Sequence, residues 1–437
     1  MGATGGIGRR GETKRTPFVM AEKLTRVLKL YDAVGVGLGA IIGAGIFVVT
    51  GVAAGVAGAA FIVGLLVAGI VASFNGLSSA QLAAVYPQSG GTYEYGYRLL
   101  NPHLGFSAGW MFLASKLSAA GIVAIGFGDY FHQLVPHFSP MAYSVSAVVL
   151  LTVANLLGIK KAGLLNIVIV LITVSSLLYF IFGGAANVSA DNFRPFAPFG
   201  IKGIAESAAI LFFAFTGYAR IATLAEEVVE PKKTIPKAVI ITILTAIILY
   251  LAVSVVAAGV IGTEQMAQSK SPLQVAASAI NAPGMGTIIT LGASTAMLGV
   301  LLSQILGISR MFLAMGRRHD LPSFFNKIHA QNKVPHIGIL FTTAVILLIT
   351  IFGSFEFVVR AATFTILLYY SITNIAALKQ PVHEQRYGKV IPVLGLAGCL
   401  AMAVSLPLNV VFSGLILLAI GFTLRFFVKK FSKSSIS

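Results

Sequence analysis

Two basic side chains stand out because each lies within an apolar stretch of the sequence. Lys116 occurs in GWMFLASKLSAAGIVAIGFG, and Arg220 ends the stretch FFAFTGYAR. A cationic side chain at the middle of a membrane costs at least about 2.5 kcal/mol, and such groups are functional by default. Two interpretations of Lys116 are open. It binds an anion or exchanges a proton, or its stem packs in the protein while its ammonium reaches backbone carbonyls or the membrane interface.

Acidic residues close to Arg220 and earlier in the same stretch suggest gates. Glu226 follows Arg220 by less than two helical turns, so the pair is a candidate for a cytoplasmic gate. Most pairs of this kind are solvated loop charges of little energetic value. Glu206 is either part of an outer gate or a cap of its helix, where negative charge is favoured.

The sequence holds no pattern typical of an enzyme or a metal protein. The seven histidines lie in loops or near the ends of apolar stretches, no HExxH motif occurs, and Cys399 is the only cysteine. GATGGIG, at residues 2–8, superficially matches a dinucleotide-binding loop, but such a loop needs a preceding strand and only Met1 precedes this one. We therefore predict no catalytic residue, no metal site and no cofactor.

The elements that position these side chains follow from composition. Of the 437 residues, 57% are hydrophobic and 10% charged, with a mean hydropathy of +0.90, whereas an average soluble chain carries about 25% charged residues. Apolar stretches long enough to span the hydrocarbon core as helices, about 20 residues, recur along the chain. We count twelve, with approximate limits 31–53, 58–85, 104–128, 141–159, 163–184, 203–225, 236–261, 283–315, 336–353, 356–378, 390–407 and 409–428. The predicted fold class is all-α, a polytopic membrane protein with 12 transmembrane helices.

The distribution of positive charge predicts the orientation. With these spans, 25 of the 31 Lys and Arg residues fall on one side, and four, Arg194, Lys202, Lys270 and Arg360, fall on the other. Loops rich in Lys and Arg stay in the cytoplasm, so we expect a multi-pass protein of the cell membrane with both termini cytoplasmic. The net charge of +17 is thus a feature of topology, and no nucleic-acid partner is predicted.

Two spans share a glycine-containing interruption. Span 1 contains GAIIGAGIF and span 6 contains FFAFTGYAR. Interrupted apolar segments at matching positions of two halves indicate an inverted-repeat transporter whose binding site lies near the middle of the membrane. The alternative is that these glycines only let helices approach closely.

This organisation divides the chain into five predicted parts. They are a cytoplasmic tail at 1–30, a first repeat of five helices at 31–184, a second repeat of five at 203–378, two further helices at 390–428, and a tail at 429–437. Because each repeat has an odd number of spans, the second repeat enters the membrane from the opposite side.

An interrupted helix offers backbone groups to a ligand. In lipid, backbone polar groups must be satisfied, so an unwound stretch survives only where it lines a buried cavity. Around residues 43–45, one half-helix would present free N–H groups and the other free carbonyls. An α-amino acid fits this arrangement, with its carboxylate on the N–H groups and its ammonium on carbonyls from both interruptions.

The sequence resembles the amino acid/polyamine/organocation transporter family over about 400 residues. Besides GAIIGAGIF, the resemblance rests on FFAFTGYARIATLAEEVVEPKKTIPKA at 212–238, SRMFLAMGRRHDLPSFF at 309–325 and YPQSGGTYEYGYRLL at 86–100. It implies a twelve-helix fold with a five-plus-five inverted repeat, unwound helices 1 and 6, alternating access, and amino acids or related amines as cargo.

The resemblance also implies roles for particular residues. Backbone of four residues would bind the substrate carboxylate: Ile42, Gly43, Ala44 and Gly45. Backbone of four others would meet its ammonium: Ile41, Phe213, Ala214 and Thr216. Phe213 is also a gating residue, because family members place an aromatic there that covers the substrate.

Coupling is where the sequence departs from the family. Thr173 stands where some proton-coupled relatives carry a lysine, and Leu298 and Gly299 stand where sodium-coupled transporters of this fold offer a Ser/Thr pair. Lys116 and Thr173 are therefore the coupling candidates, with protons as the ion considered.

We predict secondary active transport of amino acids across the cytoplasmic membrane. The alternatives are an exchanger of polyamines or cationic amino acids, and a channel or non-transporting amino-acid sensor on the same fold. No carboxylate flanks the two interruptions, which favours neutral over cationic cargo. The oligomeric state is left open.

Overall fold

The computed structural model describes residues 26–87, 90–158, 162–223 and 225–434. Within these ranges the chain is helical, and its only extended pairing is an isolated parallel bridge between Leu28 and Val228. The α-helices are α1 Leu30–Ile41, α2 Thr50–Ala57, α3 Phe61–Val85, α4 Thr92–Leu99, α5 Pro102–Leu134, α6 Pro140–Leu157, α7 Ala162–Gly184, α8 Gly200–Phe212, α9 Ala219–Thr223, α10 Pro231–Gln268, α11 Pro272–Ala279, α12 Met285–Arg317, α13 His336–Phe352, α14 Phe355–Lys379, α15 Val390–Ser405 and α16 Leu408–Ser434.

Nine helical segments of the described chain are long and apolar enough to cross a membrane. They are Leu30–Val85, Pro102–Leu134, Pro140–Leu157, Asn166–Asn187, Gly200–Thr223, Pro231–Gln268, Met285–Arg317, Phe355–Lys379 and Leu408–Phe431. The first segment has 56 residues, more than twice the length that one crossing needs. Two shorter helices, α13 and α15, are also apolar. Large apolar side chains are exposed on the outer faces, for example Leu150, Phe182 and Val404, as expected of a surface that contacts lipid.

The first segment is interrupted after its first 12 residues. Helix α1 ends at Ile41, and Ile42 has extended dihedrals, φ −78° and ψ 106°. The chain then continues as a π-helix at Gly45–Val49 before α2 begins. A second turn follows α2, where Gly58 adopts φ 59° and ψ −149°, a backbone conformation that glycine tolerates best.

The other glycine-containing stretch takes a different local form. Between α8 and α9 the chain tightens into a 3₁₀-helix at Phe213–Tyr218. Phe213 and Ala219, at its two ends, both keep right-handed helical dihedrals. The first stretch therefore contains an extended residue, whereas the second changes only its helical pitch.

The two stretches pack against each other through glycine. A Cβ atom on Gly45 would lie 2.6 Å from the Cα of Ala214, and one on Gly217 would lie 2.3 Å from the carbonyl carbon and oxygen of Ala40. Only glycine permits such close backbone approach. A glycine of each stretch therefore packs directly against the backbone of the other stretch.

Buried tyrosines satisfy carbonyls at these irregular stretches. The hydroxyl of Tyr250 donates to Ile41 O at 2.8 Å, and that of Tyr370 donates to Thr216 O at 3.3 Å. Likewise Tyr130 donates to Phe47 O, in the π-helix, at 2.6 Å. Carbonyls that leave the regular α-helical pattern must find other donors in a membrane, and these phenols supply them.

Two sets of contacts hold the ends of the interrupted segments. At the end rich in Lys and Arg, the N–H groups of Val27 and Leu28 donate to Glu227 O, both at 2.9 Å, and Val229 N donates to Leu28 O at 2.9 Å. At the opposite end, Arg360 Nε of α14 lies 3.2 Å from Glu206 Oε1 of α8. The chain before α1 is therefore joined to the loop after α9, and α8 is joined to α14.

Candidate functional site

A cavity of about 30 Å³ lies where the two interrupted stretches meet. Seven of the residues predicted to contact substrate line it: Ile41, Gly43, Ala44, Gly45, Phe213, Ala214 and Thr216. The eighth, Ile42, is buried but does not line it. Lys116, from α5, lines it as well. The structure thus brings together residues from three elements that are far apart in the sequence.

In this cavity, backbone N–H groups are left without hydrogen-bond partners among the described residues, whereas backbone carbonyls already accept hydrogen bonds. In the described chain, no backbone hydrogen bond uses the N–H of Gly43 or Ala44. The carbonyl of Ile41, in contrast, accepts from Tyr250, and that of Phe213 accepts from the Thr216 hydroxyl at 3.0 Å. Two unpaired N–H groups of this kind suit a carboxylate. Each carbonyl keeps one further lone pair for an ammonium.

A second cavity, of about 60 Å³, continues from the first. The two share five lining residues, namely Ala40, Lys116, Thr216, Val300 and Gln304. Arg220, Ser303 and Gly307 line only the second. Both volumes are far below the about 300–1,000 Å³ typical of ligand pockets. An amino acid can therefore occupy this region only after the surrounding helices have moved apart.

The two basic side chains of the cavities have few partners. Lys116 Nζ donates to Thr216 Oγ1 at 3.4 Å, and Arg220 Nη2 donates to the carbonyl of Ser303 at 3.1 Å. Gly307 makes room for the guanidinium, because a Cβ there would lie 2.5 Å from Arg220 Nη1. Among the described side chains, neither cation has a carboxylate oxygen within 4.0 Å.

Comparison with known proteins places the chain in a family. A sequence model for amino acid permeases matches residues 32–436. This chain belongs to the amino acid permease family. An uncharacterized transporter of Mycobacterium tuberculosis is 37% identical to it, over 93% of this chain and 92% of that protein. A branched-chain amino acid permease of Bacillus subtilis is 29% identical over 94% and 95%, and a methylthioribose transporter of the same species is 31% identical over 93% and 94%.

These matches confirm the resemblance inferred from the sequence. The names of the relatives are those of transporters, so the chain is a transporter and not an enzyme. Together with the apolar helices, they make it a multi-pass membrane protein of an amino acid transporter family.

The remaining predicted residues lie elsewhere or outside the described part. Thr173 is buried in α7 and donates to Ile169 O at 2.8 Å and to Gly292 O at 3.4 Å. It lines neither cavity. The side chain of Glu226 lies outside the described part of the chain, although its backbone belongs to a short 3₁₀-helix. Among the described residues, no group of three or more His, Cys, Asp or Glu side chains is placed to hold a metal ion.

Gln304 and Tyr250 contribute to this site but were not predicted from the sequence. The Oε1 atom of Gln304 is buried and has no hydrogen-bond partner among the described residues, and the side chain lines both cavities. The sequence does indicate a role for Gln304, because a glutamine in the apolar run LLSQILGIS is costly within a membrane and is retained where it has a function. Tyr250 carries no such signal, because tyrosine is common in apolar helices and only the fold shows which carbonyl it reaches.

A larger cavity, of about 600 Å³, lies at the end of the molecule that holds Arg360. Asp129, Lys270 and Glu356 are its charged lining residues. Glu356 also lies 3.1 Å from Arg360 Nη1. This cavity is large enough for an amino acid, while the cavities at the interruptions are not.

Proposed function

We propose that this chain carries amino acids across the cell membrane by secondary active transport with alternating access. The observation that carries the proposal is the cavity between the two interrupted stretches, where the N–H groups of Gly43 and Ala44 are unpaired. Family membership supports amino acids as the cargo. The small volume of this cavity and the larger opening at one end fit a transporter that exposes its site to one side at a time.

The proposal includes twelve transmembrane helices in a five-plus-five inverted repeat. The nine long segments become twelve when Leu30–Val85 is counted as two crossings and α13 and α15 are added. The repeats would be 31–184 and 203–378, followed by two helices at 390–428. The mutual contacts of Gly45 with Ala214 and Gly217 with Ala40 support a two-fold relation between the repeats. Both termini would lie in the cytoplasm, as the distribution of positive charge favours.

Substrate binding would use backbone from both interruptions. In this scheme the carboxylate lies on the N–H groups of residues 43–45, because the N–H of Ile42 already donates to Leu38 O at 2.8 Å. The ammonium meets carbonyls of Ile41, Phe213, Ala214 and Thr216. Phe213 is 8% exposed and lines the cavity, which suits an aromatic cover that swings aside when substrate enters.

Coupling and gating involve the charged residues near the site. Lys116 is the better candidate for a proton-coupling group than Thr173, because it faces both cavities whereas Thr173 packs on Gly292. Arg220 lies on the cytoplasmic side of the site and would form a gate with Glu226. The Arg360 and Glu206 pair is its counterpart on the outer side.

Uptake into proteoliposomes tests the proposal. Radiolabelled amino acids would be offered to the purified protein under an imposed pH gradient, an imposed sodium gradient, or with unlabelled amino acid inside. We expect saturable uptake in at least one condition. Uptake driven by the pH gradient identifies proton coupling, and uptake only against internal amino acid identifies an exchanger. Current without saturation would indicate a channel, and binding without uptake would indicate a sensor.

Two glycine variants show whether uptake depends on the interruptions. We expect Gly45→Ala to abolish uptake, because its Cβ would lie 2.6 Å from both Cα and Cβ of Ala214. The control is Gly35→Ala, in α1, where a Cβ meets nothing within 4 Å and alanine favours the helix. Equal uptake by both variants would contradict the proposed site.

A further inference from the structure

The two cavities between the interrupted stretches carry an unbalanced charge. Lys116 and Arg220 line them, and none of the other described residues that line them carries a carboxylate. Glu227 acts on Arg220 but lines neither cavity, and among the described side chains no carboxylate oxygen lies within 4.0 Å of the guanidinium, while Arg310 adds a further positive charge nearby. Buried charges in proteins are paired or coordinate a ligand, because an isolated one is costly. Two cations facing one cavity therefore call for anionic groups on what enters it.

One carboxylate does not account for both cations. The α-carboxylate of an amino acid already has donors of its own, the unpaired N–H groups of Gly43 and Ala44 in the first cavity. Arg220 does not line that cavity; it lines only the second one. A substrate whose α-groups occupy the interruption would place its side chain in the second cavity, beside Arg220. Lys116, which lines both, stands between these two positions.

The other polar groups of the second cavity fit the same substrate. The hydroxyl of Thr216 and the amide of Gln304 lie at its junction with the first cavity. The Gln304 amide nitrogen can donate to an acceptor, as can Lys116 and Arg220. Three donors around one end of a ligand suit a carboxylate, which accepts at two oxygens.

We propose that the preferred cargo is an acidic amino acid, whose side-chain carboxylate binds between Lys116 and Arg220. This inference rests on the proposed transport function and names its substrate class. A cationic amino acid or a polyamine would add a third positive charge to the same space and is excluded by repulsion. A neutral amino acid would leave Arg220 without its anion.

Competition for uptake into proteoliposomes tests the substrate class. The wild-type protein would be offered labelled L-glutamate and L-aspartate, and separately L-glutamine, L-asparagine, L-leucine and L-lysine. We expect each acid to be half-saturating at a concentration at least about tenfold below that of its amide, as for loss of a hydrogen-bonded charge. Uptake of leucine or glutamine without that preference for the acids would overturn the inference and leave amino acid transport standing. Absence of all uptake would overturn the transport function and this inference with it.

Variants of the second cavity connect the preference to its residues. Arg220→Gln should bring the acid-to-amide ratio close to one, and Arg220→Lys should retain most of it. Gly307→Ala should lower the ratio, because its Cβ would lie 2.5 Å from Arg220 Nη1. The matched control on the same helix is Gly299→Ala, where the Cβ meets only the side chain of Ile169, at 3.0 Å. An unchanged ratio in Arg220→Gln would contradict the assignment of the side-chain carboxylate. If that variant does not fold, the wild-type comparison and Gly307→Ala still decide.

Discussion

Two arginines of this permease lie among its helices, yet their surroundings differ. Arg425 Nε lies 2.8 Å from Asp320 Oδ1, and its Nη2 lies 2.7 Å from the hydroxyl of Tyr97. Asp320 is fully buried and also accepts from Tyr93 at 2.8 Å, while Lys429 lies 3.6 Å away. Arg220, in the cavity, has the carbonyl of Ser303 as its one hydrogen-bond partner among the described residues. Arg425 therefore has a carboxylate counter-charge within the described protein, whereas Arg220 does not.

The difference separates structural charge from functional charge. The cluster around Asp320 joins α4, the loop after α12 and the last helix α16. Its carboxylate, its guanidinium and its two tyrosine hydroxyls all have hydrogen-bond partners. A ligand has nothing to contribute there. In the cavity, no carboxylate of the described chain lies within 4.0 Å of Lys116 or Arg220, which leaves room for an anion of the substrate. A buried pair is costly to break and an unpaired cation is costly to keep, so removal of a charge should have opposite consequences at the two places.

The largest effect is expected for Asp320→Asn. The substitution leaves Arg425 buried without a counter-charge, and breaking a buried pair costs about 3–5 kcal/mol. The midpoint of thermal unfolding of the detergent-solubilised protein should fall by several degrees. Asp191→Asn is the control, because Asp191 pairs with Arg194 on the surface, where both side chains are more than four-fifths exposed, and such pairs contribute little. Equal unfolding midpoints for Asp320→Asn and Asp191→Asn would contradict the claim that the cluster around Asp320 stabilises the fold.

The direct comparison of the two arginines comes next. Arg425→Met should lower the unfolding midpoint, by less than Asp320→Asn because Lys429 still partners the carboxylate. Arg220→Met should leave the midpoint unchanged or raise it, because it removes an uncompensated cation. Thermal unfolding of both variants in the same detergent measures this. A larger loss for Arg220→Met than for Arg425→Met would reverse the distinction drawn here.

Lys116→Met should change transport while the protein remains folded. Among the described residues, the ammonium has one long hydrogen bond to lose, to Thr216 at 3.4 Å, so little stability depends on it. Uptake should fall, or its dependence on pH should change, as measured in proteoliposomes at several external pH values. Uptake equal to the wild type at every pH would exclude a role of Lys116 in coupling or binding.

The smallest effect concerns Glu94, which pairs with Arg318 at the edge of the Asp320 cluster. Burial raises the pKa of the Glu94 carboxyl above its usual 4.5, although Arg318 opposes the shift. Because the folded state holds this proton more tightly than the unfolded state, Glu94 lowers stability as pH rises through the interval just above 4.5. The unfolding midpoint of the wild type should therefore decline slightly relative to Glu94→Gln between pH 4.5 and neutral pH. A relative increase over that interval would show that Arg318 outweighs burial.

Sequence alone indicated the family, the helical class and the residues at the first interruption. Composition and the stretch GAIIGAGIF are local signals, and the residues named from that stretch, except Ile42, line one cavity in the structure. The short helices α4 and α11 were not predicted, because each lies in a connection with no long apolar run. Sequence also did not anticipate that span 6 tightens into a 3₁₀-helix where span 1 has an extended residue.

Contacts between distant elements could not be predicted from one sequence. Arg425 counts only as one more cytoplasmic charge until α16 is packed beside the loop that holds Asp320. The same limit applies to Gln304, which is polar in an apolar run, but whose direction depends on the rotation of α12. Helix rotation is set by packing against neighbours, and a single sequence gives the apolar face without its partner.

The most direct test of this account is the number of labelled L-glutamate molecules bound by the purified protein in equilibrium dialysis. We expect saturable binding of one molecule per chain, displaced by L-aspartate, much weakened in Arg220→Gln and retained in Arg425→Met where that variant is folded. Equal binding by the wild type and Arg220→Gln, or no binding by either, would contradict the claim that the unpaired cations of the cavity await an anionic substrate.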